Sequence, residues 1–364
     1  MALSIGIVGL PNVGKSTLFN ALNGGGAEAA NYPFCTIDPN VGLVKVPDAR
    51  MDALADIVKP QAMQHAVVEF VDIAGLVEGA ASGEGLGNKF LANIRECSAI
   101  AHVVRCFDDE NVTHVANRID PLGDIEIIDT ELMLKDMESL QRAVERQSKL
   151  TKSGNKEAIL RMKILEKVLK SLEDGITVRR QALSDDEREK ITEFCLLTSK
   201  PVLYLANVDD ASLPDGNDYV EKVRQFAQEE GAKVTVVSAQ IESELAEMDD
   251  ESRVEFLQDL GLEEPGLNTV IRAAYTLLNL ITYFTAGVKE VRAWTIHQGD
   301  TAPKAAAVIH NDFEKGFIRA ETIAYDDFVT CGGETKCKEA GKMRLEGKEY
   351  MVQDGDVLHF RFNV

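Results

Sequence analysis

Short apolar runs alternate with polar turns and helix-like periods over the first 110 residues and again after residue 200. Each run is too short for a buried helix and ends where polar loop residues begin, so each predicts a buried strand. Strands that alternate with helical patterns are typical of a doubly wound, mainly parallel α/β sheet. The predicted strands are Leu3–Val8, Val41–Val46, Val67–Val71, Ala101–Cys106, Pro201–Ala206 and Val234–Val237.

The segment between these two groups of strands has a different period. From about Glu131 to Lys170 apolar residues return every three or four positions, with a break at Ser153 and Gly154. This spacing predicts two helices that form a hairpin inserted into the α/β domain. After about Ile281, short strands separated by Gly and Asp turns predict a small α+β module.

Charge sets the hairpin apart from the rest of the chain. The 364 residues carry 39 Lys and Arg against 60 Asp and Glu, a net charge of -21. Non-specific attraction of nucleic acid to the whole surface is therefore disfavoured. Residues 131–180 hold twelve Lys and Arg against eight Asp and Glu, a local balance of +4. The hairpin is either a solvated coiled coil or a local binding surface for a polyanion.

The composition also predicts where the protein works. The N-terminal segment lacks a basic region followed by a long apolar run, and no later stretch reaches about 18 uncharged apolar residues, so we expect neither export nor membrane insertion. No two of the six cysteines form a C-x-x-C pair, which is typical of a reducing compartment. We therefore expect a cytoplasmic protein. The cysteines are Cys35, Cys97, Cys106, Cys195, Cys331 and Cys337.

Residues 9–17, GLPNVGKST, match the phosphate-binding pattern G-x-x-x-x-G-K-[ST], directly after a predicted strand and before an amphipathic helix. In such a loop the backbone N–H groups converge on phosphate oxygens, the lysine neutralises phosphate charge and the hydroxyl binds Mg²⁺. We therefore predict a nucleoside triphosphatase of the GTPase-like class, with Lys15 in a catalytic role and Ser16 as a metal ligand. The predicted phosphate-binding residues are Asn12, Val13, Gly14, Lys15, Ser16 and Thr17.

Two further motifs follow in the order that this class requires. Asp72 ends a predicted strand and is followed by Gly75, so we expect Asp72 to hold Mg²⁺ through water and the Gly75 N–H to reach the γ-phosphate. Thr36, in the loop between these motifs, is the expected second hydroxyl ligand of Mg²⁺. The glycines from Gly75 to Gly87 indicate a loop that changes conformation with the bound nucleotide.

The residue after Gly75 is Leu76, where Ras-like enzymes have a glutamine that orients the attacking water. A leucine side chain neither donates nor accepts a hydrogen bond, so another group must position water and hydrolysis should be slow without help. Asn12 is a candidate for holding K⁺ against the phosphates. His114, in the loop after the Ala101–Cys106 strand, is a candidate catalytic residue, although a lone loop histidine often has no such role.

The base-reading motifs depart from those of GTPases. Asn207-Val-Asp-Asp210 occupies the position where a GTPase has Asn-Lys-x-Asp, and Ser238-Ala-Gln occupies the position where a GTPase has Ser-Ala-Lys. Both lysines of the GTPase motifs are therefore missing. Asp210 keeps the guanine-reading carboxylate in register, whereas Val208 makes an apolar surface that accepts adenine. Residue chemistry alone leaves ATP and GTP both open. The predicted base-binding residues are Asn207, Val208, Asp210 and Ser238.

Taken together, these motifs resemble the Obg-like ATPase family, most closely its bacterial YchF branch. The resemblance covers nearly the whole chain, through residues 9–17, 31–40, 72–90 and 207–210, the inserted hairpin, and a C-terminal TGS-type module around residues 298–300 and 353–356. It implies ATP hydrolysis in preference to GTP, Val208 beside the adenine, and association with the ribosome. Asp210 stands where the resemblance leads us to expect Glu, which keeps GTP as an alternative.

The expected architecture has three parts. Residues 1–125 and 200–280 form the nucleotide-binding domain, 126–199 the inserted coiled-coil hairpin, and 281–364 a TGS-type β-grasp module. We expect a monomer that binds Mg²⁺ and uses ATP as its substrate. We also expect it to contact the ribosome, its large subunit, or structured RNA through the hairpin and the TGS-type module. The alternatives are a GTPase of the same architecture and a non-catalytic, nucleotide-gated module that binds RNA or the ribosome.

Overall fold

The computed structural model describes residues 3–24, 40–73, 86–109, 119–151 and 154–363. These residues form two compact units. Of the described residues, the first unit contains 3–24, 40–42 and 69–273, and the second contains 43–68 and 274–363. Two six-stranded sheets carry the fold. None of the described helices combines the length and apolar composition needed to cross a membrane.

The first sheet has the strand order β2-β4-β1-β5-β6-β7, and its pairings β1 with β4, β1 with β5, β5 with β6 and β6 with β7 are all parallel. Every residue of β1, β5 and β6 is buried, as expected for central strands covered on both faces. All six predicted strands are present, each shifted by at most two residues at either end. They are β1 Ser4–Val8, β2 Val41–Lys45, β4 Val67–Asp72, β5 Ala99–Arg105, β6 Val202–Asn207 and β7 Lys233–Val237.

Helices connect these strands, and their ends follow ordinary capping rules. Asn217 caps one of them by accepting hydrogen bonds from the backbone N–H groups of Tyr219 and Val220, and Gly231 ends the same helix in the left-handed conformation. The helices of this part of the chain are α1 Lys15–Gly24, α3 Leu86–Glu96, α7 Asp218–Glu230, α8 Ala239–Glu247, α9 Asp250–Asp259 and α10 Gly266–Leu277.

The inserted hairpin consists of α4, Pro121–Thr151, and α5, Lys156–Glu173, followed by a short helix α6, Asp185–Ile191. Helix α4 begins about ten residues before the periodic segment that predicted it, with a Pro in its first position. The carboxylate of the preceding residue, Asp120, accepts a hydrogen bond from Gly123 N–H at 3.1 Å. At about 1.5 Å per residue its 31 residues span about 46 Å. An apolar core of Leu140, Ile164, Leu165, Val168 and Leu172 joins the two helices.

Buried charges join the base of the hairpin to the first sheet. Arg179, just after α5, pairs with Asp129 of α4 and with Glu230 of α7, and Glu230 also accepts a hydrogen bond of 2.8 Å from the Tyr204 hydroxyl of β6. The side chain of Arg179 is 9% exposed and that of Glu230 is 0% exposed. Breaking such a pair leaves an uncompensated buried charge, so this network fixes the hairpin to the sheet.

The second unit is built on the sheet β11-β10-β12-β8-β9-β3. Strands β8 and β9 form an antiparallel hairpin, and β12 lies parallel to β8 and antiparallel to β10. Its C-terminal elements are β8 Leu280–Ala286, β9 Glu290–His297, α11 Ala302–Ile309, α12 Asn311–Lys315, β10 Phe317–Ile323, α13 Tyr325–Cys331, α14 Glu334–Glu339, β11 Arg344–Glu346 and β12 Val357–Phe362.

Two elements from early in the chain also belong to this unit. Helix α2, Ala49–Val58, and strand β3, Ala62–Gln64, lie between β2 and β4 in sequence, and β3 pairs in parallel with β9. Arg50 of α2 pairs with Asp354, which in turn accepts from Thr282 N–H at 2.9 Å. The sequence pattern predicted that this segment belongs to the nucleotide-binding domain. The structure differs there because these contacts, made far along the chain, attach the segment to the second sheet.

Candidate functional site

The loop between β1 and α1 lies at the carboxyl edge of the first sheet. Two of its residues adopt left-handed backbone conformations, Asn12 with φ of 64° and Gly14 with φ of 93°. Leu18 N–H donates to Gly14 carbonyl at 3.0 Å, which closes the first turn of α1. Alternating left-handed and right-handed residues ahead of a helix turn backbone N–H groups toward one point, and such a concavity binds anions.

Two glycines of this loop have no room for a side chain. A Cβ at Gly9 would lie 2.8 Å from Val103 carbonyl oxygen and 2.9 Å from Val13 Cγ2. A Cβ at Gly14 would lie 2.2 Å from the Asn207 amide nitrogen. Both distances are shorter than a van der Waals contact. The loop is therefore packed directly against β5 and β6, which fixes the shape of the predicted phosphate-binding cradle.

Asn207, the last residue of β6, supports this loop through hydrogen bonds of its side-chain amide. Its amide nitrogen donates to Val13 carbonyl at 2.8 Å, and its amide oxygen accepts from Ala239 N–H at 2.9 Å. Asn207 is 3% exposed. The amide thus links the phosphate loop to the start of α8, and its contact with a base stays a prediction.

Lys15 and Asp72 meet at the mouth of the loop. Strands β1 and β4 are parallel with Ile7 opposite Asp72, so the carboxyl end of β4 comes beside the start of α1. Lys15 Nζ forms an ion pair with the Asp72 carboxylate, and these side chains are 10% and 19% exposed. The Asp72 N–H donates to Asn40 carbonyl at 2.8 Å, which fixes the strand end. The predicted phosphate-binding cation and the predicted metal-binding carboxylate are therefore in contact.

The groups around this pair suit a triphosphate and Mg²⁺. Ser16 and Thr17, in the first turn of α1, are exposed, and Mg²⁺ prefers hydroxyl, carboxylate and phosphate oxygens. Ser16 and Asp72 are the described residues that would hold the ion.

The predicted base-binding residues follow β6 and β7, which are parallel neighbours with Asn207 opposite Val237. Val208 is buried and donates its N–H to Val237 carbonyl at 2.9 Å. Asp210 is exposed, and its carboxylate accepts from the next N–H, of Ala211, at 2.9 Å. Ser238 caps α8. The two strand ends therefore bring the apolar Val208 and the charged Asp210 to the same edge as the phosphate loop.

Thr36, Gly75, Leu76 and His114 lie outside the described residues. Their predicted roles in metal binding, γ-phosphate contact and water positioning stay predictions.

Arg105, the last residue of β5, is a residue near the site that the motifs did not indicate. It is 2% exposed, and its guanidinium donates to the carbonyls of Phe107 and Asp109, each at 3.2 Å. It also lies over the Phe107 ring, 4.7 Å from the centroid. Arg105 stands opposite Asn207 in the strand pairing, so it holds the start of the loop beside the phosphate cradle. The signal available in the sequence was a charged residue at the end of a strand whose other residues, apart from His102, are apolar.

Comparison with known proteins places this geometry in a family. The model of a 50S ribosome-binding GTPase domain matches residues 4–135, and the model YchF-GTPase_C, described as a protein of unknown function, matches residues 280–363. Proteins named ribosome-binding ATPase YchF are 63% identical in Haemophilus ducreyi and 55% identical in Bacillus subtilis, with all of this chain and all of each relative covered. The chain belongs to the YchF family.

A solved structure agrees with this assignment. The YchF GTPase of Schizosaccharomyces pombe is 40% identical, has a TM-score of 0.89 and covers 99% of this chain and 97% of its own. The predicted fold class is confirmed: a P-loop, GTPase-like α/β sheet with an inserted helical hairpin and a C-terminal α+β module. The YchF-GTPase_C match begins at the first residue of β8.

Proposed function

We propose that this chain is an ATP-hydrolysing P-loop switch protein that binds the ribosome. The observation that carries the enzymatic part is the cradle at Gly14 with Lys15 and Asp72 at its mouth. The relatives are named ribosome-binding ATPases, which supports the substrate and the partner. Membership of the wider Obg-like group and a cytoplasmic location belong to the same proposal.

Each residue of the cradle has a distinct role in this proposal. Backbone N–H groups from Asn12 to Thr17 bind phosphate oxygens, and Lys15 Nζ compensates charge on the β- and γ-phosphates. Ser16 holds Mg²⁺ directly and Asp72 holds it through water, with Thr36 as a further ligand. Mg²⁺ supplies charge neutralisation to the triphosphate when it is bound. Asn207 and Arg105 act as positioning residues for the loops on either side.

The switch rests on segments beyond the described residues. In this proposal Thr36 and Gly75 contact the triphosphate complex and are released on hydrolysis. Leu76 cannot orient water, so a group such as His114, K⁺ held with Asn12, or the ribosome completes the site. Turnover that stays absent with ribosomes and K⁺ present would favour the non-catalytic, nucleotide-gated alternative.

Base choice depends on the residues after β6. Val208 is buried against this edge and has no amine to pack over a guanine, which supports adenine. Asp210 is exposed and retains the carboxylate that reads guanine, which supports the GTPase alternative. Ser238 and the backbone beside it complete the proposed base pocket.

Competition between nucleotides tests the choice. The purified full-length chain with Mg²⁺ should bind and hydrolyse ATP more efficiently than GTP, measured by displacement of a fluorescent ATP analogue and by phosphate release. GTP preferred by more than about tenfold, equal to about 1.4 kcal/mol, would overturn the ATP assignment. The variant Lys15→Ala serves as the control, because turnover of both nucleotides should disappear if this site is responsible.

Six exposed cations on the hairpin support contact with ribosomal RNA. Within the described part of the chain no ion pair involves any of them, in contrast to Lys135, Lys167 and Arg179. The three cations on α4 recur at intervals of four and three residues, and the three on α5 recur at intervals of seven residues. The cations of each helix therefore lie along one helical face. The six are Arg142, Arg146, Lys149, Lys156, Lys163 and Lys170. Phosphate groups of structured RNA are the chemistry that such a surface binds.

Charge reversal on α4 tests this contact. The double variant Arg142→Glu and Arg146→Glu should weaken ribosome binding by at least about tenfold at low salt and reduce its salt dependence, because phosphate contacts release counterions. Cosedimentation with ribosomes over a range of KCl concentrations measures both. Lys222→Glu with Lys233→Glu changes net charge equally on exposed positions outside the hairpin and should bind like wild type. Equal binding by both double variants, or binding insensitive to salt, would exclude the hairpin as the contact.

The proposed division of the chain assigns residues 1–125 and 200–280 to the nucleotide-binding domain, except for residues 43–68, which belong to the second compact unit. It assigns residues 126–199 to the hairpin and residues 281–364 to a TGS-type module. We propose a monomer, with the TGS-type module as a second contact to the ribosome or its large subunit.

A further inference from the structure

Three side chains that transition metals favour meet on the second sheet, and none of them belongs to the proposed nucleotide site. Glu321 lies on β10 and His359 on β12, directly opposite each other in the antiparallel pairing. Glu334 begins α14. One ligand atom from each of the three lies within 4.8 Å of the other two. Directly opposed residues of paired strands place their side chains on the same face, so the sheet itself brings two of these groups together.

The same three residues line a cleft of about 560 Å³ in the second unit. Its remaining wall is largely apolar, with Ile309, Phe313, Ile323 and Phe328 among the lining residues. Glu334 and His359 are exposed, so their side chains can rotate to shorten the distances to an ion. The cleft provides the space in which an ion and a further ligand would fit.

Glu321 is already held in one orientation. Its side chain is 12% exposed, and its two oxygens accept from Arg361 Nε at 3.1 Å and Nη2 at 3.0 Å. Each oxygen retains a second lone pair, and carboxylates that bind metals usually accept an outer hydrogen bond that orients them. Arg361 therefore leaves Glu321 able to bind an ion.

We propose that Glu321, Glu334 and His359 bind a divalent transition-metal ion, with Zn²⁺ as the representative ion. The imidazole favours zinc and its neighbours over Mg²⁺ and Ca²⁺, which prefer oxygen ligands throughout. Three protein ligands would leave the fourth position of a tetrahedral ion open for water or a further ligand, and all three residues line the cleft. The site is independent of the phosphate loop and would bind its ion without nucleotide.

Zinc titration of the metal-free, full-length chain without nucleotide tests the site. Calorimetry should show one Zn²⁺ bound per chain, with affinity reduced at least about tenfold in His359→Gln and in Glu334→Gln. His297→Gln is the matched control, because His297 is an exposed histidine at the end of β9 outside the cluster. Unchanged thermal melting of all variants without metal shows that the fold is intact.

Cobalt identifies the ligands, since Cys331 and Cys337 lie in the same unit and are the competing zinc ligands. Co²⁺ bound at the proposed site should give d–d absorption without a thiolate-to-metal charge-transfer band, and His359→Gln should abolish that absorption. A thiolate band, equal zinc affinity in wild type and His359→Gln, or no zinc binding below millimolar concentration would overturn the proposal. The last result would leave the cluster as an ion-pair network around Arg361.

Discussion

Gly14→Ala should reduce affinity for ATP with Mg²⁺ by about two to three orders of magnitude, which corresponds to about 3–4 kcal/mol. The added Cβ would lie 2.2 Å from the Asn207 amide nitrogen, so the amide must move. Its hydrogen bonds to Val13 and Ala239 then weaken together, and the loop loses the support that aims its N–H groups. Displacement of a fluorescent ATP analogue measures the affinity, and urea denaturation measures the accompanying loss of stability.

Gly231→Ala provides the control for backbone strain. Gly231 has φ of 69°, comparable to 93° at Gly14, but a Cβ there would meet nothing within 4 Å. The left-handed conformation alone costs about 1 kcal/mol, so Gly231→Ala should lose a little stability and keep its nucleotide affinity.

A double-mutant cycle isolates the contact with Asn207. If overlap with the amide causes the defect, Gly14→Ala should cost less nucleotide affinity in an Asn207→Ala background than in wild type. Wild-type affinity in Gly14→Ala would show that the cradle does not bind the phosphates. Additive effects of the two changes would show that the loss arises from strain at Gly14 instead.

The central strands and the phosphate loop were predictable because their signals are local. The residues of β1, β5 and β6 are buried on both faces, so they appear in the sequence as mainly apolar runs bounded by loops, with His102 as the polar residue inside β5. Lys15 follows β1 and Asp72 ends β4, and the parallel pairing of these strands brings the two residues to one edge. For these elements a short stretch of sequence contains the physical cause of the structure.

Long-range contacts explain what the sequence did not reveal. Nothing near Ala62–Gln64 indicates that this strand pairs with β9, because the partner strand lies in the C-terminal part of the chain. The motif at Asn207 suggested a base contact, whereas the bonds to Val13 and Ala239 depend on how two distant loops pack. The role of Arg105 likewise depends on the path of the loop that follows it. In each case the partner is set by tertiary structure.

Asp136, on α4, provides the corresponding test for the hairpin. Its side chain is fully buried and accepts three hydrogen bonds, from Leu197 N–H at 2.7 Å, Thr198 N–H at 2.8 Å and the Thr198 hydroxyl at 2.6 Å. Burial raises the pKa of this carboxyl, and the three donors oppose that shift. The turn at residues 197–199 leads directly into β6, so Asp136 connects the hairpin to the strand that ends at Asn207.

Asp136→Ala should lower the free energy of unfolding by about 3–5 kcal/mol, because two backbone N–H groups and a hydroxyl lose their buried acceptor. Urea denaturation followed by far-ultraviolet circular dichroism measures the change. Glu138→Ala on the same helix removes a half-exposed carboxylate whose one ion pair among the described residues is with Lys135 at 3.0 Å, and should change stability by at most about 0.5 kcal/mol. A loss below about 1 kcal/mol in Asp136→Ala would mean that water replaces the carboxylate, and that the apolar core and the Arg179 network suffice to hold the hairpin.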